Sequence, residues 1–379
     1  MQFSMIFEAQ MANPTAEHER EVILDSVEQA VYAERMGFDR IWAVEHHSTK
    51  WYSHMSAPEI FLTWVAARTS RIRIAHGAVC MPFNFNHPAR VAERIGMLDT
   101  LSGGRLDVGA ARGGTLQESS LCGVDIEQTK AQVEEALRII GAAWQRDELV
   151  WHGDVLDIEG SHPILPRPVQ TPHPPLFLAC SKQPSLVEAA EYGVGALVLG
   201  FAGPEEVANL NQIYRDAIKE RTGERFVSSV TNDHLVALCP TIVSEDGARA
   251  RQVGARGQRF FAQSIAHWFS GGRSGIPDEA VVEGRDEVAV IHEAAEQQVA
   301  MLHEAKIPVT VNATATYNVN HAYGTAEDAI GYVQKLIDAG ADEIMCLIQM
   351  GTVPQADCME TIRIWGEQVI PHFRAKYGA

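Results

Sequence analysis

Short apolar runs alternate with stretches of helical period from the first residues onward. The pattern predicts a strand over Phe3–Glu8, then a helix over Glu17–Met36 in which Ile23, Val27, Ala30, Val31 and Glu34 step by three or four. Met36-Gly37 is a helix stop, and Asp39–Val44 reads as a buried parallel strand. The same alternation predicts a helix over Ala57–Ser70, with Pro58 in its first turn, and a third strand over Ile72–Met81. A helix over Pro88–Leu101, a strand over Arg105–Gly109 and a helix over Ile126–Arg146 follow. Val133, Leu137, Ile140 and Trp144 share one face of the last of these.

Between Asp147 and Pro175 the pattern fails among prolines, and Trp151–Ile158 is read as a hairpin within a surface insertion, 147–175. Strands then return at Leu176–Cys180, Ala196–Gly200, Asn232–Cys239 and Glu343–Gln349, with helices at Pro184–Tyr192, Pro204–Thr222, Ala326–Ala339 and Ala356–Pro371. That makes about eight strand–helix units, with one oversized segment before the eighth strand. The expected fold class is α/β: a single (β/α)8 TIM barrel with insertions, occupying 1–379 as one domain without an internal linker.

Composition narrows the function classes. Of 379 residues, 46% are hydrophobic and 21% charged, ordinary for a protein with a sizeable core. A net charge of −18 argues against nucleic-acid and anionic-membrane partners. No apolar run is long enough for a membrane helix, and Met1–Phe7 starts as a strand without a basic leader. The six cysteines are scattered without a Cys-x-x-Cys pair, which fits free thiols in a reducing cytoplasm and no zinc site.

Candidate chemistry sits at strand ends, where α/β folds assemble their sites. Glu45-His46-His47 closes the second strand, and three ionisable groups there are costly to bury without a task or partners. A hydrogen-bonded pair of core-edge histidines is the plain alternative. Arg112 follows the fourth strand and precedes two glycines, so it suits a bidentate clamp on phosphate or carboxylate, or a local ion pair. Ser181 and Ser185 flank a helix start after the fifth strand, placed for a phosphate cradle or for plain capping.

Together these segments resemble the bacterial luciferase-like flavin monooxygenases over nearly the whole chain. The resemblance rests on Glu45-His46-His47, Asn86-His87-Pro88 through Leu101-Ser102-Gly103-Gly104-Arg105-Leu106, Arg112-Gly113, and Gly324-Thr325-Ala326-Glu327 through Gly340-Ala341-Asp342-Glu343. It implies that His46 is the catalytic histidine, supporting a flavin hydroperoxide and moving protons, and that Glu45 lies beside the flavin ring. Gly77-Ala78 fall where the family bulges its third strand under the ring, often through a non-proline cis peptide. Arg112 matches the arginine reaching the flavin phosphate, and Ser181 and Ser185 the phosphate loop. Ala111 stands where luciferase α-subunits carry a reactive cysteine, so no thiol role is carried over.

The implied activity is monooxygenation of a small organic substrate by O2 and reduced FMN, the flavin being delivered by a separate reductase. Residues 255–284 are expected to form a lid, with Phe260, Phe261, Trp268 and Phe269 as apolar cover and Gly271, Gly272 and Gly275 as hinges. Trp51, Tyr52, Phe83 and Phe85 are candidate pocket linings. Ala66, Ala67, Ala89, Val91, Ala92 and Ile95 are the expected seam of a homodimer. Asn312–His321 is polar without helical period and is left open as substrate loop or interface. Three rival readings stand beside this one: a deazaflavin-dependent oxidoreductase of the same superfamily, a metal-dependent barrel hydrolase using His46, His47, His76 and His234, and a non-catalytic flavin store.

Overall fold

The structure is a computed structural model and describes residues 1–304 and 314–378. Residues 312 and 313 of the polar stretch Asn312–His321 lie outside the described residues; Tyr317 and His321 in the rest of it are buried. Eight parallel strands close into a barrel: β1 (Gln2–Phe7), β2 (Arg40–Ala43), β3 (Arg73–Cys80), β4 (Leu106–Ala111), β7 (Leu176–Cys180), β8 (Gly195–Val198), β9 (Leu235–Val243) and β11 (Glu343–Leu347). Neighbours pair in the order β9-β11-β1-β2-β3-β4-β7-β8, and β8 pairs back onto β9. Parallel strands covered by helices are buried on both sides and read as continuous apolar runs, and β2, β8, β9 and β11 are buried at every position.

The insertion at 147–175 carries an antiparallel hairpin, β5 (Leu149–His152) and β6 (Asp157–His162). The oversized segment before the eighth barrel strand holds helices α8 (Gly247–Phe269) and α9 (Glu287–Glu304), then β10 (Ala322–Gly324), which extends the sheet beside the end of β9. Around the first half of the barrel run α1 (Ala16–Arg35), α2 (Pro58–Arg68), α3 (Pro88–Ser102), α4 (Leu116–Cys122) and α5 (Thr129–Gln145); α6 (Gln183–Tyr192) and α7 (Pro204–Glu220) follow.

Three expectations shift. The fourth strand starts at Leu106, not Arg105, because the Arg105 guanidinium turns back to cap the carbonyls of Ala66, Thr69 and Ile72 after α2. Helix α5 begins three residues late, behind a short 3-10 turn at Ile126–Gln128, and α4 fills a stretch to which no element had been assigned. Of the expected seam residues, Ala66, Val91, Ala92 and Ile95 are buried in this chain's own core. The outward apolar positions of α2 and α3 are instead Ile60, Trp64, Met97 and Leu101, between 56% and 69% exposed.

The base of the barrel is tied by charge. Arg40 donates to Asp107 at 2.7 Å and to Glu343, linking β2 to β4 and β11 inside the closed sheet. Arg73 clamps Asp107 through two bonds of 2.7 Å, and His234 meets Glu343 at 3.1 Å. The Arg40 guanidinium lies over Trp42 and Phe177, with 5.1 and 5.6 Å to the ring centroids. Burial alone would raise Glu343, but the Arg40 charge and the bonds from His234 and Ser4 hold it down at about 2. Among the described residues no helix is long and apolar enough to cross a membrane. All six cysteines are free, and Cys122 is the one not fully buried. Replacing Arg40 by Met leaves two buried carboxylates short of their common cation, so urea unfolding should show a loss of about 3–5 kcal/mol; a loss under about 1 kcal/mol would contradict this account.

Candidate active site

The C-terminal ends of β1 to β4 converge on one mouth. Beyond β2 the chain places Glu45, His46 and His47, and each imidazole finds its own carboxylate. His46 Nδ1 meets Glu118 Oε1 at 2.9 Å, and His47 Nε2 meets Glu45 Oε1 at 2.9 Å. With Nδ1 committed, His46 presents Nε2 to any ligand. The other contacts of Glu45 are also internal: Asn86 Nδ2 donates to Oε1 at 2.8 Å and the Cys80 amide to Oε2 at 2.8 Å. Glu45 therefore pins β3 and His47, and its lone pairs are largely taken.

Glu118 is the residue that the reading of the sequence missed. It is fully buried at the third position of α4, in a capping box with Thr115. Its Oε1 accepts from the His47 amide at 3.0 Å as well as meeting His46, while Oε2 accepts from the Gly114 and Thr115 amides and the Thr115 hydroxyl. Thr115-Leu-Gln-Glu118 is a capping-box signature open to view in the sequence, in a stretch to which no helix had been assigned. Burial would raise the Glu118 carboxyl, yet the bond and charge of His46 and the amide donors bring it down to about 2. Burial disfavours a charged His46, but the hydrogen bond and charge of Glu118, with the charges of Glu8 and Glu45, leave it above its ordinary value. His76, in contrast, is buried and pushed down to about 4, so it is neutral.

The Gly77-Ala78 peptide is cis, and the β3–β4 register shifts between His76 and Val79 as a bulge there. A Cβ on Gly77 would lie 2.9 Å from Trp42 Cβ, so the bulge needs glycine to pass the indole. Past β4, Arg112 is exposed and has no hydrogen-bond or ion-pair partner among the described residues. It shares a pocket with Lys130, Ser185, Glu188 and Tyr192, where Lys130 is paired with Glu188 at 2.6 Å. Ser185 is a helix cap: its amide and its hydroxyl both donate to Lys182 O. Ser181 is exposed on the preceding turn.

Gly113 and Gly114 join the two clusters. A side chain on Gly113 would collide with Phe85, which stacks on His47 at 5.7 Å. A Cβ on Gly114 would sit 3.6 Å from His46 Cε1 and 3.8 Å from Phe269. Gly113 and Gly114 follow Arg112 directly in the chain, and the Gly114 position lies against His46. An aromatic wall runs inward from His46 through Tyr52 and Phe261 to Phe201, with centroid spacings of 4.9, 5.7 and 5.5 Å. Trp51 lies outside that wall against Trp268 and donates to Glu279 at 2.6 Å. The expected lid is split: Ala255 and Phe260–Ala262 are fixed within α8, whereas Phe269 at its end and Ile276 beyond it are exposed. Among the described residues no three His, Cys, Asp or Glu side chains group as a metal site requires.

The family model for luciferase-like monooxygenases matches residues 1–343. The chain belongs to that family. Monooxygenase RslO1 from Streptomyces bottropensis has the same fold, with a TM-score of 0.77 at 24% identity over 98% of this chain and 100% of that one. The oxygenating constituent of 3,6-diketocamphane monooxygenase from Pseudomonas putida, a type II Baeyer–Villiger enzyme in complex with FMN, gives 0.73 at 19% identity over 98% of each. Among curated relatives, the oxygenase component of flavin-dependent trigonelline monooxygenase from Acinetobacter baylyi is 27% identical over 252 residues, 66% of this chain and 67% of that protein. The chain spans about half the length of some curated relatives and nearly all of others. F420-dependent oxidoreductases share the luciferase-like barrel too, at 18% identity.

The His46–Glu118 pair gives a pH test. Because His46 is raised, its stabilising share is complete below the ordinary imidazole range and is lost as pH climbs through its folded value. The share of Glu118 holds above the ordinary carboxylate range and is lost as pH falls toward about 2. Glu118→Gln should therefore lower the His46 midpoint in an imidazole proton NMR titration; an unmoved or higher midpoint would break the pairing.

Proposed function

We propose that the chain is a flavin-dependent monooxygenase that uses reduced FMN and O2 to oxygenate a small organic substrate. One observation carries this: at the catalytic end of a luciferase-like barrel, a guanidinium without a partner among the described residues leads into two glycines, the second of which lies against a carboxylate-oriented imidazole. The residues fit FMN. Arg112 offers bidentate donors to its phosphate, Ser181 is a further proposed donor from the turn after β7, and Ser185 holds the shape of that turn. Gly113 and Gly114 leave room for close approach, and the Gly77-Ala78 bulge is the proposed floor under the ring. When bound, reduced FMN supplies the electron pair that activates O2 for oxygen insertion.

The chain's own residues then bind, orient and manage protons. His46 Nε2 holds or moves a proton at the reacting centre, while Glu118 fixes its tautomer and orientation. Glu45 acts through Asn86, Cys80 and His47 to keep β3 in place beneath the ring. The Tyr52–Phe261–Phe201 wall forms the apolar side of the substrate pocket. Of the expected lid 255–284, the part beyond α8, residues 270–284, acts to exclude water, tethered where Glu279 accepts from Asn13 N and Trp51 Nε1. A second reading, a deazaflavin-dependent oxidoreductase, is favoured only by the F420-dependent neighbours and is separated by which reduced flavin binds.

The trigonelline relative is an oxygenase component, which supports a separate reductase as the source of reduced flavin here. Free thiols fit a cytoplasmic setting. A homodimer would cover Ile60, Trp64, Met97 and Leu101, which project from α2 and α3 at spacings of four. Arg112→Ala should weaken FMN binding by about 10- to 100-fold, the worth of charge-assisted bonds of roughly 1.5–3 kcal/mol. Quenching of flavin fluorescence reads this directly, and an unchanged Kd would remove the phosphate assignment. Trp64→Glu combined with Met97→Glu should convert a dimer to a monomer in sedimentation velocity; a dimer that persists would place the seam elsewhere.

A further inference from the structure

The end of β1 carries a carboxyl group that the mechanism above leaves idle. Glu8 follows Phe7 directly, is 5% exposed, and stands at the same end of the barrel as His46. The Tyr52 hydroxyl donates to its Oε1 at 3.5 Å, and its Oε2 meets no hydrogen-bond partner among the described residues. Of the charged groups facing it, His46 favours its ionisation and Glu118 opposes it. Tyr52, from the loop after β2, is buried with its phenol pushed far up, so it serves Glu8 as a hydrogen-bond donor and not as a charge. The charge of Glu45 also acts on His46.

A buried carboxylate with one long bond and no guanidinium or ammonium against it is costly, whereas the neutral acid is not. Burial dominates and moves Glu8 up to about 7. A neutral carboxylic acid brings an O–H donor, and none of the described residues accepts it at Oε2. The group is therefore a proton source set beside the aromatic wall, at the barrel end where reactants bind.

We propose that Glu8 is a second acid of the site, which gives its Oε2 proton to an oxygen of the bound reactants as negative charge develops there; this rests on the flavin-dependent reading above. The O–H bond of Glu8 breaks and a new O–H bond forms on the reactant oxygen, with no change of oxidation state at Glu8. The resulting carboxylate is held by the Tyr52 O–H, beside the imidazolium of His46, until solvent returns the proton. His46 and Glu8 thereby divide the proton supply between a cation and a neutral acid.

Infrared spectra of the full-length protein without flavin test the first half. The carbonyl band of a protonated carboxyl group should titrate with a midpoint near 7 in the wild type. It should vanish in Glu8→Gln and persist in Tyr52→Phe with a higher midpoint, because the lost hydrogen bond favoured ionisation. Absence of the band, or a midpoint in the ordinary carboxylate range, overturns the proposal. Should Glu8→Gln not fold, wild-type protein with isotope-labelled glutamate and Tyr52→Phe still decide it. The second half is read from oxidation of bound reduced FMN by O2 across pH. Glu8→Gln should bind FMN as the wild type does, lose the transition near pH 7, and slow the reaction by about 100-fold; an unchanged pH profile sinks the transfer role. Failure of the wild type to bind FMN would remove the flavin reading and with it the transfer step, while the infrared midpoint would still fix the ionisation of Glu8.

Discussion

The guanidinium of Arg40 is the constraint from which the rest of the molecule takes its position. It sits inside a closed ring of strands, with Asp107 on one side and Glu343 on the other, so β2, β4 and β11 are locked in register at their base. Slipping any of them by one residue would turn a buried charge into the helical layer and an apolar side chain into the ion cluster. Since side chains alternate along a strand, fixing Arg40 also fixes which way Trp42 points, and through the bulge at Gly77 how β3 passes it. The chemistry at residues 45 to 47 stands a short, rigid strand above that anchor.

The two ends of the barrel handle charge in opposite ways. At the base, acids and cations are matched and no group is left over for a ligand. At the mouth, matching is incomplete: among the described residues Arg112 lacks an acid and Glu8 lacks an arginine or lysine, while His46, His47, Glu45 and Glu118 satisfy one another. Imbalance of this kind is what the proposed flavin and substrate would complete.

Much of this was legible in residues alone, for physical reasons. Fully buried parallel strands must be apolar along their length, so all eight barrel strands stood out, and the prolines of 147–175 announced the insertion. Strand ends that close on ionisable groups pointed to His46 and Arg112, and the same logic applied to Glu8, where the acid was read merely as the last residue of a strand. What the pattern cannot carry is facing. Helix α2 is apolar nearly all round, so its period does not tell Trp64, which looks outward, from Val65, which packs inward. Several segments behind the family resemblance turn out to be scaffold: Arg105 caps α2, Thr325 starts a helix in a capping box with Asp328, and Glu343 belongs to the ion cluster. Their chemistry is that of holding a barrel closed.

Helix α4 has only seven residues, too few to persist by its own backbone bonds. It survives because Glu118, lodged among the first amides of the helix, also grips the imidazole of His46. Secondary structure and proton inventory are therefore one equilibrium at this place. Leu116 and Leu121, the oily residues this helix shows to solvent, ride on a turn whose first amides and the His46 ring share one carboxylate.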